Sequence, residues 1–343
     1  MLAGHFARRA EVWILASVES DLRELGDYFG LDPVRVSLLA VGAADETEAE
    51  AEILRLRPDV LINNSYGSVL RNRAPRGIYM CMFPHSEEGS PSRRESLPSA
   101  GGSSVEAIRT YTEVTANSEF TRHWIWRRWG ITSTVVYSPC DSMGPPRPKS
   151  RRILHVGRFS DPRRTPHRKK QDILIETFAA MEQLHRDGWR LALAGSVDPD
   201  GGDAELERLR RAAGALPVDF HPGVSRLDLR RLYQQSALYW HATGFRSEDT
   251  AAPEEQEHFG VTIVEGMSAG AVPVVHDSGG PREIVRHAYD GYRWKDLEEL
   301  RSRTAEVVGD PAKRERMAAR AVRGSRRFSR EKFLRRVDRI LAS

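Results

Sequence analysis

Two glutamates, Glu257 and Glu265, stand eight positions apart in the segment EHFGVTIVE. Between them Phe259-Gly260 opens an apolar run that predicts a helix over Val261–Ala269. The exposed backbone N–H groups at such a helix start suit a phosphate, and Gly260 permits close approach of the ligand. Glu265, further along this helix, is placed to accept a pair of sugar hydroxyls. Glu257, ahead of it, faces whatever extends beyond the phosphate. Two carboxylates at this spacing are by default solvated charges; the FG between them, with SAGAVPVV and SGGPREIV downstream, favours a ligand site.

A second cluster lies in LHVGRFSDPRRTPHRKKQDILIETF, which begins at Leu154. A strand ends there at Gly157-Arg158, and Lys169-Lys170 precede a helix. Arg158 offers a fork of donors and a lysine a point charge, a combination suited to a diphosphate. RR and KK pairs alone are as often a solvated basic loop.

These residues need a scaffold, and short apolar strands alternate with helical patterns from end to end. Strands are predicted at Val12–Ser17, Val34–Ala40, Val60–Asn64, Ile78–Phe83, Thr112–Ala116 and Thr134–Tyr137, with helices at Glu19–Phe29, Glu46–Leu56 and Ser118–Trp129. The scheme repeats with strands Arg152–Gly157, Arg190–Ala194, Val218–His221, Leu238–His241 and Val272–His276. Helices Gln171–His185, Ala204–Ala213, Leu227–Gln234 and Val261–Ala269 intervene. The pattern is α/β, with two parallel sheets each covered by helices on both faces. Residues 138–151, SPCDSMGPPRPKSR, read as a linker, and 84–103 as a long functional or unstructured loop. Ligands of open α/β sheets bind beyond the carboxyl ends of the strands, so a cleft between two such domains is the expected site.

The 343 residues are 40% hydrophobic and 29% charged, which excludes collagen-like and wholly disordered chains and fits two domains. No apolar run approaches the ~18 residues of a membrane-spanning helix, and no signal peptide is recognised at the start. Cys81 and Cys140 have neither metal nor redox spacing and point to a reducing compartment. The net charge of +4 hides an uneven distribution: residues 312–343 hold 12 Lys/Arg against 3 Asp/Glu. Within that tail Phe328, Phe333, Leu334, Val337 and Leu341 recur at helical spacing, so an amphipathic helix is a better reading than a nucleic-acid arm.

Taken together, the motifs resemble glycosyltransferase family 4, a retaining family of glycosyl transferases group 1. The resemblance rests on HVGRF (155–159), KKQDILIETF (169–178), FHPGVSRLDLRRLY (220–233), HATGF (241–245), EHFGVTIVEGMSAGAVPVV (257–275) and GGPREIV (279–285), with TANSEFTRHWI (115–125) in the first half. It implies the GT-B fold: two facing Rossmann-like domains with parallel sheets, and a C-terminal helix that crosses back to the first domain. The domains are expected at 1–148 on the acceptor side, lacking a first strand and Gly-rich loop, and at 149–325 for the nucleotide sugar. A crossover helix is expected at 326–343.

The implied reaction moves a sugar from a nucleoside diphosphate sugar to a hydroxyl of a glycan, lipid-linked or small-molecule acceptor, in polysaccharide or glycoconjugate biosynthesis. By the resemblance Arg158 and Lys169 offset the charge of the departing diphosphate, so no metal and no cofactor is expected. Glu265 holds the ribose, and Glu257 contacts the transferred sugar. Gly157 and the backbone of Phe259, Gly260 and Val261 line phosphate and sugar, and Val224 lies near the base. His85, after the strand GIYMCMFP, is the candidate on the acceptor side. His241 reads as a packed strand-end histidine. Trp124, Trp126 and Trp129 read as core and boundary packing, with at most peripheral membrane contact. The expected location is cytoplasmic, and nucleic acid is not an expected partner. The alternatives are a catalytically silent relic serving as a binding subunit, or, less favoured, an epimerase or phosphorylase on the same fold.

Overall fold

Strands β10 (Ser236–His241, SALYWH) and β11 (Val272–His276, VPVVH) are buried along their whole length, as strands covered on both faces must be. The computed structural model describes residues 1–16, 36–40, 46–68, 70–86, 104–164, 168–247 and 251–343. The chain divides into two units. The first comprises Met1–Asn117, Thr121–Val136 and Leu334–Ser343; the second comprises Ser118–Phe120 and Tyr137–Phe333.

The second unit is built on a six-stranded parallel sheet. It contains β7 (Ser150–Val156), β8 (Arg190–Gly195), β9 (Val218–Pro222), β10, β11 and β12 (Tyr292–Trp294), in the order β12-β11-β10-β7-β8-β9. Successive side chains of a strand point to opposite faces. Ile153, Leu191, Leu193, Leu238 and Trp240 therefore enter one apolar cluster, while Leu154, Ala192, Ala194 and Tyr239 enter the other. The predicted helix Gln171–His185 is two helices, Gln171–Ala179 and Glu182–Arg186. The break at Ala180-Met181 turns Met181 and Leu184 into the same cluster as Phe178. β12 and the helices Leu297–Gly309 and Pro311–Ser325 were not anticipated. Each of these two helices starts at an aspartate, Asp296 or Asp310, whose side chain accepts a backbone N–H three residues on.

The first unit holds a parallel pair, β1 (Val12–Ala16) and β2 (Val36–Ala40), and a four-stranded parallel sheet. The latter runs β3 (Val60–Asn63), β4 (Arg76–Cys81), β5 (Glu113–Ala116) and β6 (Thr134–Val135), in that order. Tyr79, Cys81, Ile108, Val114, Ile125 and Trp129 form its core. Of the tryptophans read as packing, Trp129 is buried, but Trp126 is 60% exposed. Cys81 and Cys140 are both buried free thiols. The expected helix Glu19–Phe29 and residues 87–103 of the long loop lie outside the described residues.

The last helix, Arg330–Ala342, contributes its residues from Leu334 onward to the first unit, and Val337 is fully buried. A basic amphipathic helix was expected here. The described contacts include the reverse arrangement: Asp338 of the helix pairs with His5 at 2.9 Å and with Arg9. Arg76 donates to the carbonyls of Ile340 and Leu341, a cation at the negative end of the helix dipole.

Candidate functional site

The sheet of the second unit reverses its strand order between β7 and β10, which makes the space beyond their carboxyl ends a topological switch point. β7 runs into Gly157-Arg158, and β10 ends at His241. From the β7 side comes Lys169, just ahead of the helix Gln171–Ala179. Lys170, the N-cap residue, adopts φ 55° and ψ 39°, a left-handed conformation rare for a residue with a side chain. The stem of Lys169 then lies over Gly157, where an added Cβ would stand 2.8 Å from Lys169 Cγ. From the β10 side comes Glu257. Lys169 Nζ reaches Glu257 Oε2 at 2.8 Å, with the two side chains only 16% and 13% exposed.

The same oxygen, Glu257 Oε2, is 3.1 Å from His241 Nε2. A carboxylate only accepts, so His241 carries its proton on Nε2 there. Next to it, His155 Nδ1 lies 3.0 Å from the carbonyl of Trp240, and the His155 and His241 rings are 6.3 Å apart. Burial, with the His241 charge adding to it, pushes the pKa of His155 down to about 3. His276, at the end of β11, is pushed down to about 4 by the same two causes in the same order. Imidazoles line this floor, and two of them stay neutral at ordinary pH.

The helix Val261–Ser268 begins at Gly260, whose φ of 114° favours glycine, and no side chain caps its first N–H groups. Gly279 and Gly280 pack against it: Gly280 N donates to the Glu257 carbonyl at 2.8 Å, and a Cβ on Gly280 would stand 2.5 Å from Phe259 Cα. The Phe259 ring points into the core beside Tyr137 and Phe328. Val261 is exposed at the helix start, and Val224 packs partly against the core below β9. Glu265 lies in the second turn of this helix. It accepts the Tyr233 hydroxyl on Oε2 at 2.8 Å, and burial raises its pKa, a shift that the hydrogen bond from Tyr233 opposes. Among the described residues, Oε1 has no partner.

Gly157, Lys169, Glu257, Phe259, Gly260 and Val261 are thus gathered at the β7–β10 switch point, with Glu265 further along the helix. The expectation that Arg158 and Lys169 converge on one group has a counterpart only in part. Lys169 is sequestered by Glu257, whereas Arg158 is 54% exposed, its Nη1 lying 3.8 Å from Asp198 Oδ1. His85 belongs to the first unit, where its ring meets Trp129 edge-on and its carbonyl accepts the Trp129 indole N–H at 3.2 Å. Sequence reasoning passed over Tyr233 and read His241 as packing alone. The available signal for His241 was its place at the carboxyl end of a central strand. Among the described residues, no three His, Cys, Asp or Glu side chains are grouped to hold a metal ion, and no helix is long and apolar enough to cross a membrane.

Residues 145–323 match the family model described as glycosyl transferases group 1. Curated relatives include the GDP-Man:Man(3)GlcNAc(2)-PP-Dol alpha-1,2-mannosyltransferase of Dictyostelium discoideum, 27% identical over 229 residues, which are 61% of this chain and 42% of that protein. The human protein of the same name is 24% identical over 247 residues, 64% of this chain and 46% of its own length. The chain therefore spans less than half the length of either relative. Among solved structures, Anabaena HepE in complex with UDP and glucose superposes with a TM-score of 0.73 at 19% identity, covering 100% of this chain and 94% of that one. Sucrose-phosphate synthase from Thermosynechococcus elongatus gives 0.63 at 15% identity, covering 87% and 76%. These likenesses show the fold, GT-B. With a family model matching more than half of its residues, the chain belongs to the glycosyl transferases group 1.

Proposed function

We propose that the chain is a retaining hexosyltransferase of family 4 that moves a sugar from a nucleoside diphosphate sugar to a hydroxyl acceptor without a metal. The observation that carries this reading is the pair of sheltered carboxylates, Glu257 and Glu265, on either side of one uncapped helix start at Gly260. In this reading the donor diphosphate lies at the N–H groups of that helix and meets Lys169 and Arg158. These cations act where negative charge grows as the sugar bond breaks, the point at which electrostatic stabilisation counts most. Glu265 accepts the ribose hydroxyls through the oxygen that Tyr233 does not use. Glu257 orients the transferred sugar, the Val224 loop meets the base, and His85 serves the acceptor.

The names of the relatives supply two donors and one acceptor class to try. HepE was solved with UDP and glucose, and the Dictyostelium and human relatives are named for GDP-mannose and a lipid-linked glycan. A lipid-linked or glycan acceptor is therefore the first to test. The experiment measures binding of UDP-glucose, GDP-mannose and their nucleoside diphosphates to the wild type, Lys169→Ala and Glu265→Ala. Transfer is then assayed with and without EDTA. Donor binding that weakens about tenfold or more in both variants, with transfer unaffected by EDTA, is expected. No binding of any donor, or equal binding by all three proteins, would sink the proposal.

A further inference from the structure

Two donors of different character meet at Glu257 Oε2 among the described residues. Lys169 Nζ sits at the end of four rotatable bonds, on a loop whose neighbour Lys170 is in a left-handed conformation. His241 Nε2 belongs to a ring that is 1% exposed, at the end of β10, in register with Val275 of β11 and beside the ring of His155. One donor is on a flexible stem and the other is fixed by the sheet. When Lys169 engages the donor diphosphate, the ammonium must divide its bonds between phosphate and carboxylate. A carboxylate turned toward a sugar would swing if that were its main anchor.

We propose that His241 is a positioning residue for Glu257: its Nε2–H pins Oε2 and keeps the carboxylate oriented toward the transferred sugar while Lys169 engages the diphosphate. The proposal rests on the glycosyltransferase reading and deepens it, because it separates two parts of donor recognition. In that reading the nucleoside diphosphate is held by Glu265, Lys169 and the helix start, while the sugar meets Glu257, whose Oε2 bonds His241. The part of affinity that comes from the sugar passes directly through Glu257, and therefore through His241.

The test compares wild type, His241→Asn and His241→Gln. The Asn amide is too short to reach Glu257 but keeps the site polar, whereas the Gln amide nitrogen reaches about as far as Nε2. Dissociation constants are measured for UDP, UDP-glucose, GDP and GDP-mannose, and kcat and KM for donor hydrolysis or transfer. His241→Asn is expected to bind the nucleoside diphosphates within about twofold of wild type. It should lose most of the added affinity of the sugar nucleotide and lower kcat about tenfold, the worth of one hydrogen bond to a charged group. His241→Gln is expected to restore most of both. A general packing defect in His241→Asn would weaken nucleoside diphosphate and sugar nucleotide alike and would not be rescued by Gln; that result overturns the proposal. So does an unchanged ratio of the two affinities. A wild type that binds none of the four probes overturns the glycosyltransferase reading, and the role of His241 with it.

Discussion

Tyr233 donates its hydroxyl to Oε2 of Glu265 across 2.8 Å, from the helix Arg226–Gln235 to the helix Val261–Ser268. One neutral donor only partly compensates a carboxylate that burial holds above its ordinary pKa. A group whose folded pKa is raised contributes stability below its unfolded value, and that contribution is lost as pH rises through the folded value. Above its folded pKa the ionised Glu265 is therefore a cost to the free protein. Glu265→Gln is expected to raise the Tm of the ligand-free protein by about 2–4 °C, equivalent to about 1 kcal/mol, while abolishing the shift induced by donor. A variant less stable than wild type at pH 7 would contradict this account.

Glycines at two adjacent strand ends predict opposite phenotypes. A Cβ on Gly157 meets Cγ and Cβ of Lys169 at 2.8 and 2.9 Å, atoms that can shift only with the Lys169 segment, and Nε2 of His155 at 2.9 Å. A Cβ on Gly195 meets the backbone oxygen of Gly157 at 2.1 Å. Gly157→Ala should fold and lose about tenfold in donor affinity as Lys169 is displaced, whereas Gly195→Ala should lose about 3 kcal/mol or more of stability. Thermal melts with and without nucleoside diphosphate separate the two, and equal melting of both variants would refute the distinction.

Lys170 supplies a third test. Its left-handed backbone costs a residue with a side chain about 1 kcal/mol, a cost that glycine escapes. Lys170→Gly is expected to keep stability and donor binding close to wild type, while the β-branched Lys170→Val should lose about 1–3 kcal/mol. Similar losses from both would mean that the Lys170 side chain, rather than its backbone, matters.

The neutral imidazoles predict the acid limb of stability. His155 and His276 have folded pKa values of about 3 and about 4, below an ordinary value of 6.5. Their contribution is fully present above pH 6.5 and is lost as pH falls from there toward 4. Melting curves between about pH 7.5 and about pH 4.5 should show Tm falling over this window. The fall should be shallower in His276→Asn, which retains a nitrogen near the place of Nδ1 for the bond to Ser278. An identical slope would remove His276 from the account.

The parts of the site that are contiguous in sequence were legible there. EHFG followed by an apolar helix places Glu257, Gly260 and Glu265 on one short segment, and local spacing is enough to relate them. The partnership of Lys169 with Glu257 spans 88 positions, and that of Tyr233 with Glu265 spans 32; both depend on strand order, which spacing does not encode. β12 was missed because three residues, YRW, carry too little periodicity to be told from a loop. The break after Ala179 was missed because the apolar pattern of Gln171–His185 continues across it.

The strand order also governs how the chain acquires its site. β7, β8 and β9 are consecutive in sequence and pair as neighbours, so this half of the sheet closes only short crossovers. β7 must then wait for β10, which arrives after β9 and its helix, before its other edge is satisfied. Lys169 belongs to the early half and Glu257 to the late one. Their ion pair therefore cannot form until β10 has docked beside β7, and during synthesis on the ribosome it marks the joining of the two halves of the sheet rather than its completion, since β11 and β12 are still to come.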